Sequence, residues 1–380
     1  MLSVSLPDNN GSTRPYQSWI DWFKVLGMAV ILFGHTGGDR LIPPIFLPIN
    51  PKQLGVAMFV FVTAFTLATE TRSPLRVIYN RFFEVAVLGI ALAMLLSVVQ
   101  WFRIGDLNES NYLPFLLGLN VFWEDAFPAN PTTWYVGTYL HLLLAWAAFL
   151  RFIPSRFYAF VGLAIADVGV RAAWMAFDRD FNAYMVLTSW LSVFWLGQWA
   201  GRSLSSDAPE RSESAVDTTR GDHRSWLARW TAGNAVARRL IGGGALVALM
   251  AGWLTIVRAF DISKSNPFGR IPVGGHVWEA LVTSGSVTVE YTLYTLLLFF
   301  IFYGIPAGRF VRFLSRNTLL VFLAHMPVRD WVTPLYYPLA SEIPLISAGW
   351  TRQLMNFVVL FVGLAWVSEG IRTSLGWKRR

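Results

Sequence analysis

Long apolar stretches recur along almost the whole chain, and they constrain its fold more than any other feature. A helix needs roughly 20 mostly apolar residues to cross a hydrocarbon core about 30 Å thick. Because hydrocarbon satisfies no backbone polar group, stretches of this length predict helices. We identify about ten such segments, at residues 18–37, 53–70, 82–102, 133–150, 157–176, 184–201, 238–258, 285–304, 316–336 and 351–371. The sequence therefore predicts an all-α fold, a polytopic transmembrane helix bundle.

Composition supports a membrane protein and excludes several other classes. Hydrophobic residues make up 54% of the chain and charged residues only 14%, and the mean hydropathy is +0.46. These values are too apolar for a soluble protein of 380 residues. The chain has no cysteine, which excludes disulfides, zinc thiolates and cysteine nucleophiles. We also expect no metal cofactor.

Basic residues gather in short connections between the apolar segments. When successive connections are assigned to alternate sides of a membrane, one side receives most of the arginines and lysines: Arg72, Arg76, Arg81, Arg151, Arg156, Arg309, Arg312, Arg316, Lys378, Arg379 and Arg380. That side is predicted to be cytoplasmic, with both chain termini on it, in a cell (inner) membrane. The net charge of +8 therefore indicates membrane orientation, and we expect no nucleic-acid partner.

Two segments do not fit the pattern of spanning helices. Residues 202–237 are rich in Ser, Arg, Asp, Glu and Thr, which predicts a disordered or interfacial cytoplasmic loop. Residues 112–121 are apolar but short and interrupted by Pro114 and Gly118, which favours a re-entrant or interfacial piece. We treat residues 1–380 as a single membrane domain that contains both segments.

Three ionisable residues lie in the first apolar segment, where such groups are functional candidates. At about 100° per residue, Lys24 and His35 are ~20° apart around the helix, and Asp21 shares their face. The axial separation of Lys24 and His35 is roughly 16 Å, so these two side chains cannot touch. Two structural alternatives stay open: Asp21 and Lys24 pair near the interface, and His35 is a satisfied histidine at a helix end.

Other polar residues inside predicted spans are candidates for contact with a substrate. Glu84, Asp167 and Glu290 are carboxylates that serve either as structural partners or in an acceptor site, and we rank Glu290 highest. His141 and His325 are further candidates for the substrate site, with helix packing as the alternative for each. The predicted outer loop 258–279 combines charged and aromatic residues that suit sugar binding.

The first segment resembles a known family of membrane enzymes. Residues 20–35 read IDWFKVLGMAVILFGH, which resembles the opening helix of the acyltransferase-3 family, with a basic residue, ten others and a histidine. Lys24 stands where arginine is commonest. This lysine form, with Gly-His at the end, resembles the branch of fucose O-acetylases and related glycan O-acyltransferases.

Four later segments resemble the same family in the same order along the chain. These are residues 55–65, the arginines Arg76 and Arg81, residues 133–140 and residues 315–328. Departures from the family pattern are Thr63 and Ala64, where Ser and Gly are usual, and Phe322, where Tyr is usual.

The resemblance implies transfer of an acyl group, usually acetyl from acetyl-CoA, to a sugar hydroxyl in a bacterial envelope polysaccharide or glycolipid. A sugar hydroxyl is a poor nucleophile at neutral pH and needs a base such as imidazole. His35 is therefore predicted to be catalytic, either as that base or as a covalent acyl carrier. The acyl-CoA donor is polyanionic, so Arg76 and Arg81 are predicted to bind it, with Lys24 near its inner entrance.

Two other function classes remain open on the sequence. A secondary transporter or flippase for a glycan intermediate would use the buried charges Asp21, Lys24, Asp167 and Glu290. A non-catalytic membrane partner in polysaccharide export would use residues 202–237 to recruit other proteins.

Overall fold

The computed structural model describes residues 17–43, 45–46, 49–104, 118, 121–122, 134–205, 227, 230, 233–262, 267–342 and 347–374. These residues form helices and connections, with no strand among them, so the all-α prediction is confirmed. The helices are α1 (Trp19–His35), α2 (Pro51–Leu67), α3 (Pro74–Ile104), α4 (Trp134–Ala148), α5 (Phe157–Ala176), α6 (Asp180–Met185), α7 (Leu191–Ser205), α8 (Ala235–Ala259), α9 (His276–Phe302), α10 (Arg309–Glu342) and α11 (Ala348–Ser374).

A helix occupies each of the apolar segments predicted from the sequence. Within the described part of the chain, four of these helices, α5, α8, α9 and α11, are long and apolar enough to cross a membrane. The helical membrane class follows from these helices, whereas the number of crossings stays a prediction.

The predicted segment 184–201 is interrupted in the structure. Helix α6 ends at Met185, a single 3-10 turn covers Leu187–Trp190, and α7 begins at Leu191. The cause lies in another helix, because the Asp167 carboxylate of α5 accepts the backbone N–H of Leu191 at 3.1 Å. A cap supplied by a distant residue begins the new helix, and local hydropathy does not reveal it.

Most of the two irregular segments lies outside the described residues. The loop predicted at 202–237 begins as helix, since α7 continues to Ser205. It also ends as helix, because α8 begins at Ala235, where the Asn234 side chain accepts the N–H of Val236 at 2.9 Å. Of the predicted re-entrant piece, only Gly118 and Val121 are described.

Close helix crossings hold the centre of the bundle together. A Cβ on Gly55 of α2 would lie 2.3 Å from the carbonyl oxygen of Gly27 in α1. A Cβ on Gly197 of α7 would lie 2.4 Å from the carbonyl oxygen of Phe61 in α2. Only glycine permits these approaches, and small residues at crossings are the usual means by which helices associate in lipid. Helices α1, α2 and α7 therefore form the inner layer.

A cluster of aromatic rings closes one end of this layer. Trp19 is 2% exposed and contacts rings from α1, α2 and α9, with centroid distances of 5.4 Å to Phe23, 4.8 Å to Phe65 and 5.1 Å to Phe299. Edge-to-face packing of this kind adds stability beyond the area buried. The start of α1, the end of α2 and the end of α9 therefore meet.

The same end of the bundle carries several arginines, and we call it the arginine end. Here Ser18 Oγ donates to Ile305 O at 2.8 Å. Arg202 donates to Arg151 O at 2.8 Å, and Arg372 donates to Arg316 O at 3.0 Å. The guanidinium groups thus join helix ends that are far apart in sequence.

The opposite end of the bundle contains His35, and we call it the histidine end. Thr36 Oγ1 lies 2.6 Å from Gln353 Oε1, which joins the end of α1 to α11. The Asn50 side chain donates to Pro267 O at 3.3 Å. Contacts at both ends show that α1 runs antiparallel to α2 and α11.

Candidate functional site

The structure brings together two histidines that are far apart in sequence. His35 is the last residue of α1, and His325 lies in α10. Their ring centroids are 5.3 Å apart and their planes meet at 59°. His325 is fully buried, whereas His35 keeps partial exposure. The pair therefore has one buried member and one member within reach of a substrate.

Backbone contacts define which nitrogen of His325 is available. Its Nδ1 lies 2.8 Å from Phe322 O and 3.2 Å from Val321 O. A carbonyl oxygen only accepts hydrogen bonds, so Nδ1 carries the hydrogen. The Nε2 atom is buried and has no hydrogen-bond partner among the described residues. In the neutral ring, Nε2 therefore carries a lone pair that can accept a hydrogen bond.

The backbone that carries His35 is held by the last two helices. Arg329 of α10 donates to His35 O at 2.7 Å. Gln353 of α11 donates to Thr36 O at 2.9 Å. Both bonds satisfy carbonyl groups that the end of a helix leaves without an internal partner. The position of His35 is therefore set by α10 and α11 as well as by α1.

Helix α2 approaches the same place closely. A Cβ on Gly34 would lie 2.9 Å from the Lys52 Cβ. The cations that act on His35 electrostatically are Lys52 and Arg329. Arg329 also forms an ion pair of 2.6 Å with the exposed Asp330. His35 therefore lies in a positively charged surrounding.

A small apolar cavity of about 30 Å³ lies between four helices of the bundle. Its lining residues come from α2, α3, α4 and α10, and they are Phe59, Val85, Tyr135, Val136, Tyr139, Thr318, Leu319 and Phe322. Toward the histidine end it is bounded by Phe322, whose ring centroid is 6.1 Å from that of His325. Toward the arginine end it is bounded by Tyr139, which interacts electrostatically with Arg81.

The two arginines predicted to bind the donor differ in their surroundings. Arg76 is exposed in the first turn of α3. Arg81 lies one turn further on and is partly buried, with its Nη1 donating to Thr66 Oγ1 at 3.0 Å. Only Arg81 of these two contacts the group that borders the cavity. The two arginines, which the sequence predicted to share one role, therefore differ in burial and in contact with the cavity lining.

The connection between α2 and α3 contains a tight ion pair near Arg81. Arg72 lies 2.6 Å from the Glu70 carboxylate. Burial raises the pKa of Glu70, but the hydrogen bonds and charge of Arg72 outweigh it and lower this pKa to about 2. Glu70 is therefore ionised, and it offsets part of the positive charge at the arginine end.

Lys24 and Asp21 lie on α1 near the arginine end. The Asp21 carboxylate accepts a hydrogen bond from Ser315 Oγ at 2.5 Å, which links α1 to α10. Lys24 is half-buried and is not one of the eight cavity-lining residues. The position of Lys24 near the donor entrance stays a prediction.

Glu290 lies on α9 with 1% of its surface exposed. Neither carboxyl oxygen has a hydrogen-bond partner among the described residues, and the backbone of Ile49 faces the group. One helical turn away, Tyr294 donates to Ile45 O at 2.7 Å. A buried carboxyl group without partners is costly in a structural role, which keeps Glu290 a candidate for ligand contact.

The other spanning carboxylate with a described side chain, Asp167, has a structural role. It accepts N–H bonds from Leu191 at 3.1 Å and Ser192 at 2.9 Å. Arg171, one turn along α5, is also fully buried and donates to Thr288 Oγ1 at 2.7 Å. Arg171 was not among the residues predicted from the sequence, although it lies four residues after Asp167 inside an apolar segment. The side chain of Glu84 lies beyond the described part of the chain.

Neither His141 nor the predicted sugar-binding loop contributes to the cavity lining. The His141 ring centroid lies 5.3 Å from that of Phe122, on the side of α4 about 200° around the helix from Tyr139. Within residues 258–279, Arg270 donates to Asp180 at 2.7 Å and to Met175 O at 2.9 Å. That loop therefore joins α5 to α9 through internal contacts.

A bundle of apolar helices with two histidines meeting beside an internal cavity defines a helical membrane protein with a site inside the bundle. Residues 17–368 match the acyltransferase-3 family model, which describes an acyltransferase domain. The chain belongs to this family and is an acyltransferase. No curated protein and no solved structure matches it.

Proposed function

We propose that the protein is an O-acyltransferase of the bacterial inner membrane that crosses the membrane about ten times, with cytoplasmic termini. It transfers an acyl group, acetyl in the simplest case, from cytoplasmic acyl-CoA to a hydroxyl of an envelope or extracellular saccharide. The Lys24 form of the first helix supports the branch of fucose O-acetylases and related glycan O-acyltransferases. The acceptor is a saccharide or glycolipid.

The observation that supports the proposal most directly is the small apolar cavity between Tyr139, which interacts with Arg81, and Phe322, which packs near His325. Along α10 the lining residues run from Thr318 to Phe322, a length of roughly 6 Å at 1.5 Å per residue. The pantetheine arm of CoA is a narrow, uncharged chain, and in this proposal it follows the line of apolar side chains that the cavity marks. The nucleotide end of CoA is polyanionic and suits the arginine end, where Arg81 and Arg76 lie.

The chemistry of the transfer follows from the surroundings of His35. A ring nitrogen of His35 takes the proton from the acceptor hydroxyl, and the hydroxyl oxygen attacks the thioester carbonyl carbon. The carbon–sulfur bond then breaks, and the CoA thiolate takes the proton back from the His35 imidazolium. The products are the sugar ester and free CoA. In the second route, a neutral ring nitrogen of His35 attacks the thioester carbonyl carbon and CoA leaves as the thiolate. The acceptor hydroxyl then attacks the acyl-imidazolium, the bond to His35 breaks, and the hydroxyl proton goes to the thiolate, which gives the same ester and free CoA.

The remaining predicted residues divide into two groups in this proposal. Glu290 contacts the acceptor, because its buried carboxyl group faces only the backbone of Ile49 in the described part of the protein and suits a hydroxyl ligand. Lys24 lies near the inner entrance for the donor. His141 packs against Phe122, which favours a structural role for this residue over acceptor contact.

The transport alternative receives less support from the buried charges. Asp167 is held by backbone N–H groups of α7, and Arg171 by hydroxyl and carbonyl groups of neighbouring helices. Both groups are bonded within the fold, although Arg171 Nε has no partner in the described part of the chain, so they suit a structural role better than contact with a transported solute.

The test measures transfer of labelled acetyl from acetyl-CoA to envelope saccharides in membranes that contain the protein. His35→Ala is expected to abolish transfer while the protein accumulates normally. The matched control is His223→Ala, which makes the same change in the polar segment 202–237 and is expected to leave transfer unchanged. Normal product from His35→Ala would overturn the proposal. Recovery of a labelled peptide that contains His35 would favour the covalent route.

A further inference from the structure

We propose that His325 is a positioning residue that accepts an N–H hydrogen bond from the His35 imidazole and so fixes which nitrogen of His35 acts in the reaction. The inference rests on the proposed function, in which His35 is the catalytic residue. It explains a feature that neither the family match nor the spacing of Lys24 and His35 addresses, namely a buried imidazole nitrogen without a partner.

The polarity of His325 permits only one direction for this bond. Its Nδ1–H is held by Phe322 O at 2.8 Å within the same helix, which leaves Nε2 as an acceptor. The hydrogen must therefore come from the partner. His35 has two ring nitrogens, and the one that donates to His325 carries its hydrogen. The other nitrogen of the neutral ring is then the lone pair that meets the acceptor hydroxyl.

The distance between the rings suits this bond. Two imidazoles joined by a linear N–H···N bond of about 2.9 Å have ring centroids roughly 5.2 Å apart. The observed separation of His35 and His325 is 5.3 Å with planes at 59°. The two rings are therefore at bonding separation, and in the proposal the His35 ring rotates so that one N–H points to His325 Nε2.

The charges around His35 exclude the usual orienting partner. In Ser-His-Asp triads a carboxylate holds the second nitrogen of the histidine. The groups that act electrostatically on His35 in the described part of the chain are His325, Lys52 and Arg329, and none of them is a carboxylate. Asp21 is on the same face of α1, but it is about 21 Å away along the axis at 1.5 Å per residue, and it bonds to Ser315. The neutral imidazole of His325 is the acceptor that the fold supplies.

The proton balance of the reaction is unchanged by this role. His35 takes the hydroxyl proton on its free nitrogen and becomes an imidazolium, whose other N–H continues to donate to His325 Nε2. When the CoA thiolate leaves, it takes the proton from the same free nitrogen. His325 therefore neither gains nor loses a proton during the cycle, and it acts by orienting His35 and by stabilising its charged form.

Two conservative substitutions of His325 separate positioning from a merely structural role. His325→Asn keeps an N–H near the position of Nδ1, so it retains the bond to Phe322 O but lacks an acceptor near Nε2. His325→Gln places its side-chain oxygen near the position of Nε2, so it retains the acceptor for His35. His325→Leu keeps neither group. Each variant is compared with wild type for kcat, the KM for acetyl-CoA, and the Tm in detergent.

If His325 positions His35, kcat falls about 100-fold in His325→Leu and His325→Asn, as expected when a reacting group loses its orientation. His325→Gln is expected to retain at least ten times the kcat of His325→Asn. The KM for acetyl-CoA changes little in all three variants. If the role is structural, the order reverses, because His325→Asn preserves the intrahelical bond and the Tm.

The outcome for His325→Asn and His325→Gln decides the inference separately from the proposed function. An inactive His35→Ala together with equal kcat in the Asn and Gln variants, or a higher kcat in the Asn variant, overturns the positioning role alone. An active His35→Ala overturns the proposed function and the inference with it. Variants with the expected order of kcat and with unchanged Tm support the positioning role.

Discussion

Replacement of Arg81 tests the proposed donor path most directly, because Arg81 interacts with Tyr139, which lines the cavity, whereas its neighbour Arg76 is exposed. The guanidinium of Arg81 is partly buried and bonds to Thr66, so it is already oriented when a phosphate group arrives. A hydrogen bond to a charged group contributes about 1.5–3 kcal/mol. At 1.4 kcal/mol for each factor of ten, Arg81→Met is expected to raise the KM for acetyl-CoA roughly 10- to 150-fold.

Arg76→Met is the matched control for this experiment. Arg76 is exposed, and an exposed charge pair contributes at most about 1 kcal/mol, so the KM is expected to change by no more than about five-fold. The assay measures initial rates of acetyl transfer over a range of donor concentrations. The Tm of each variant shows whether the loss of the Thr66 contact has unfolded the protein.

A second donor without phosphates tests whether Arg81 acts by binding the phosphates of CoA. S-acetyl-pantetheine has the thioester and the arm but lacks the nucleotide phosphates, so the effect of Arg81→Met should disappear with it. An equal rise in KM for both donors would show that Arg81 acts through the fold and not through the phosphates. Equal effects of Arg81→Met and Arg76→Met would contradict the assignment of the cavity to the donor arm.

Two further predictions concern stability. Gly55→Ala is expected to destabilise the bundle by about 1–3 kcal/mol because the added Cβ would lie 2.3 Å from a carbonyl oxygen of α1, whereas Gly169→Ala, with no atom within 4 Å, should leave the Tm in detergent unchanged. The pKa of Glu70 is lowered to about 2 by Arg72 against the opposing effect of burial, and an unperturbed Glu has a pKa of about 4.3. Its contribution to stability is therefore complete above the unfolded value and is lost as the pH falls toward 2. The Tm difference between wild type and Glu70→Gln should accordingly shrink between pH 6 and pH 3, and a difference that stays constant would contradict the prediction.

Hydropathy was sufficient to predict the all-α fold and the approximate position of the helix in each apolar segment. It was insufficient where polar residues extend a helix or where a distant group begins one. Helix α10 runs from Arg309 to Glu342, whereas the predicted apolar segment covers only 316–336. The turns at both ends of this helix are more polar, so hydropathy alone did not include them. The break before α7 depends on Asp167 of another helix, which no local pattern contains.

The candidate site was predictable in part. The spacing of Lys24 and His35 assigns both to one face of a helix, but periodicity does not reveal which helix that face meets. The contact between His35 and His325 joins the first helix to the tenth, so only the folded structure shows it. The difference between Arg76 and Arg81 has the same origin, because burial depends on what packs against α3 and not on the sequence around the two arginines.

The bonds that hold His35 have a consequence for the order in which the enzyme matures during synthesis. Helix α1 emerges from the ribosome before α10 and α11, but its end is fixed by Arg329 and Gln353 of these later helices. A nascent chain that stops before α10 therefore has His35 without its partner ring and without its clamps. If His35 acts as proposed, a chain interrupted before α10 would insert into the membrane without acyltransferase activity, so activity would report that synthesis has passed α10 and α11.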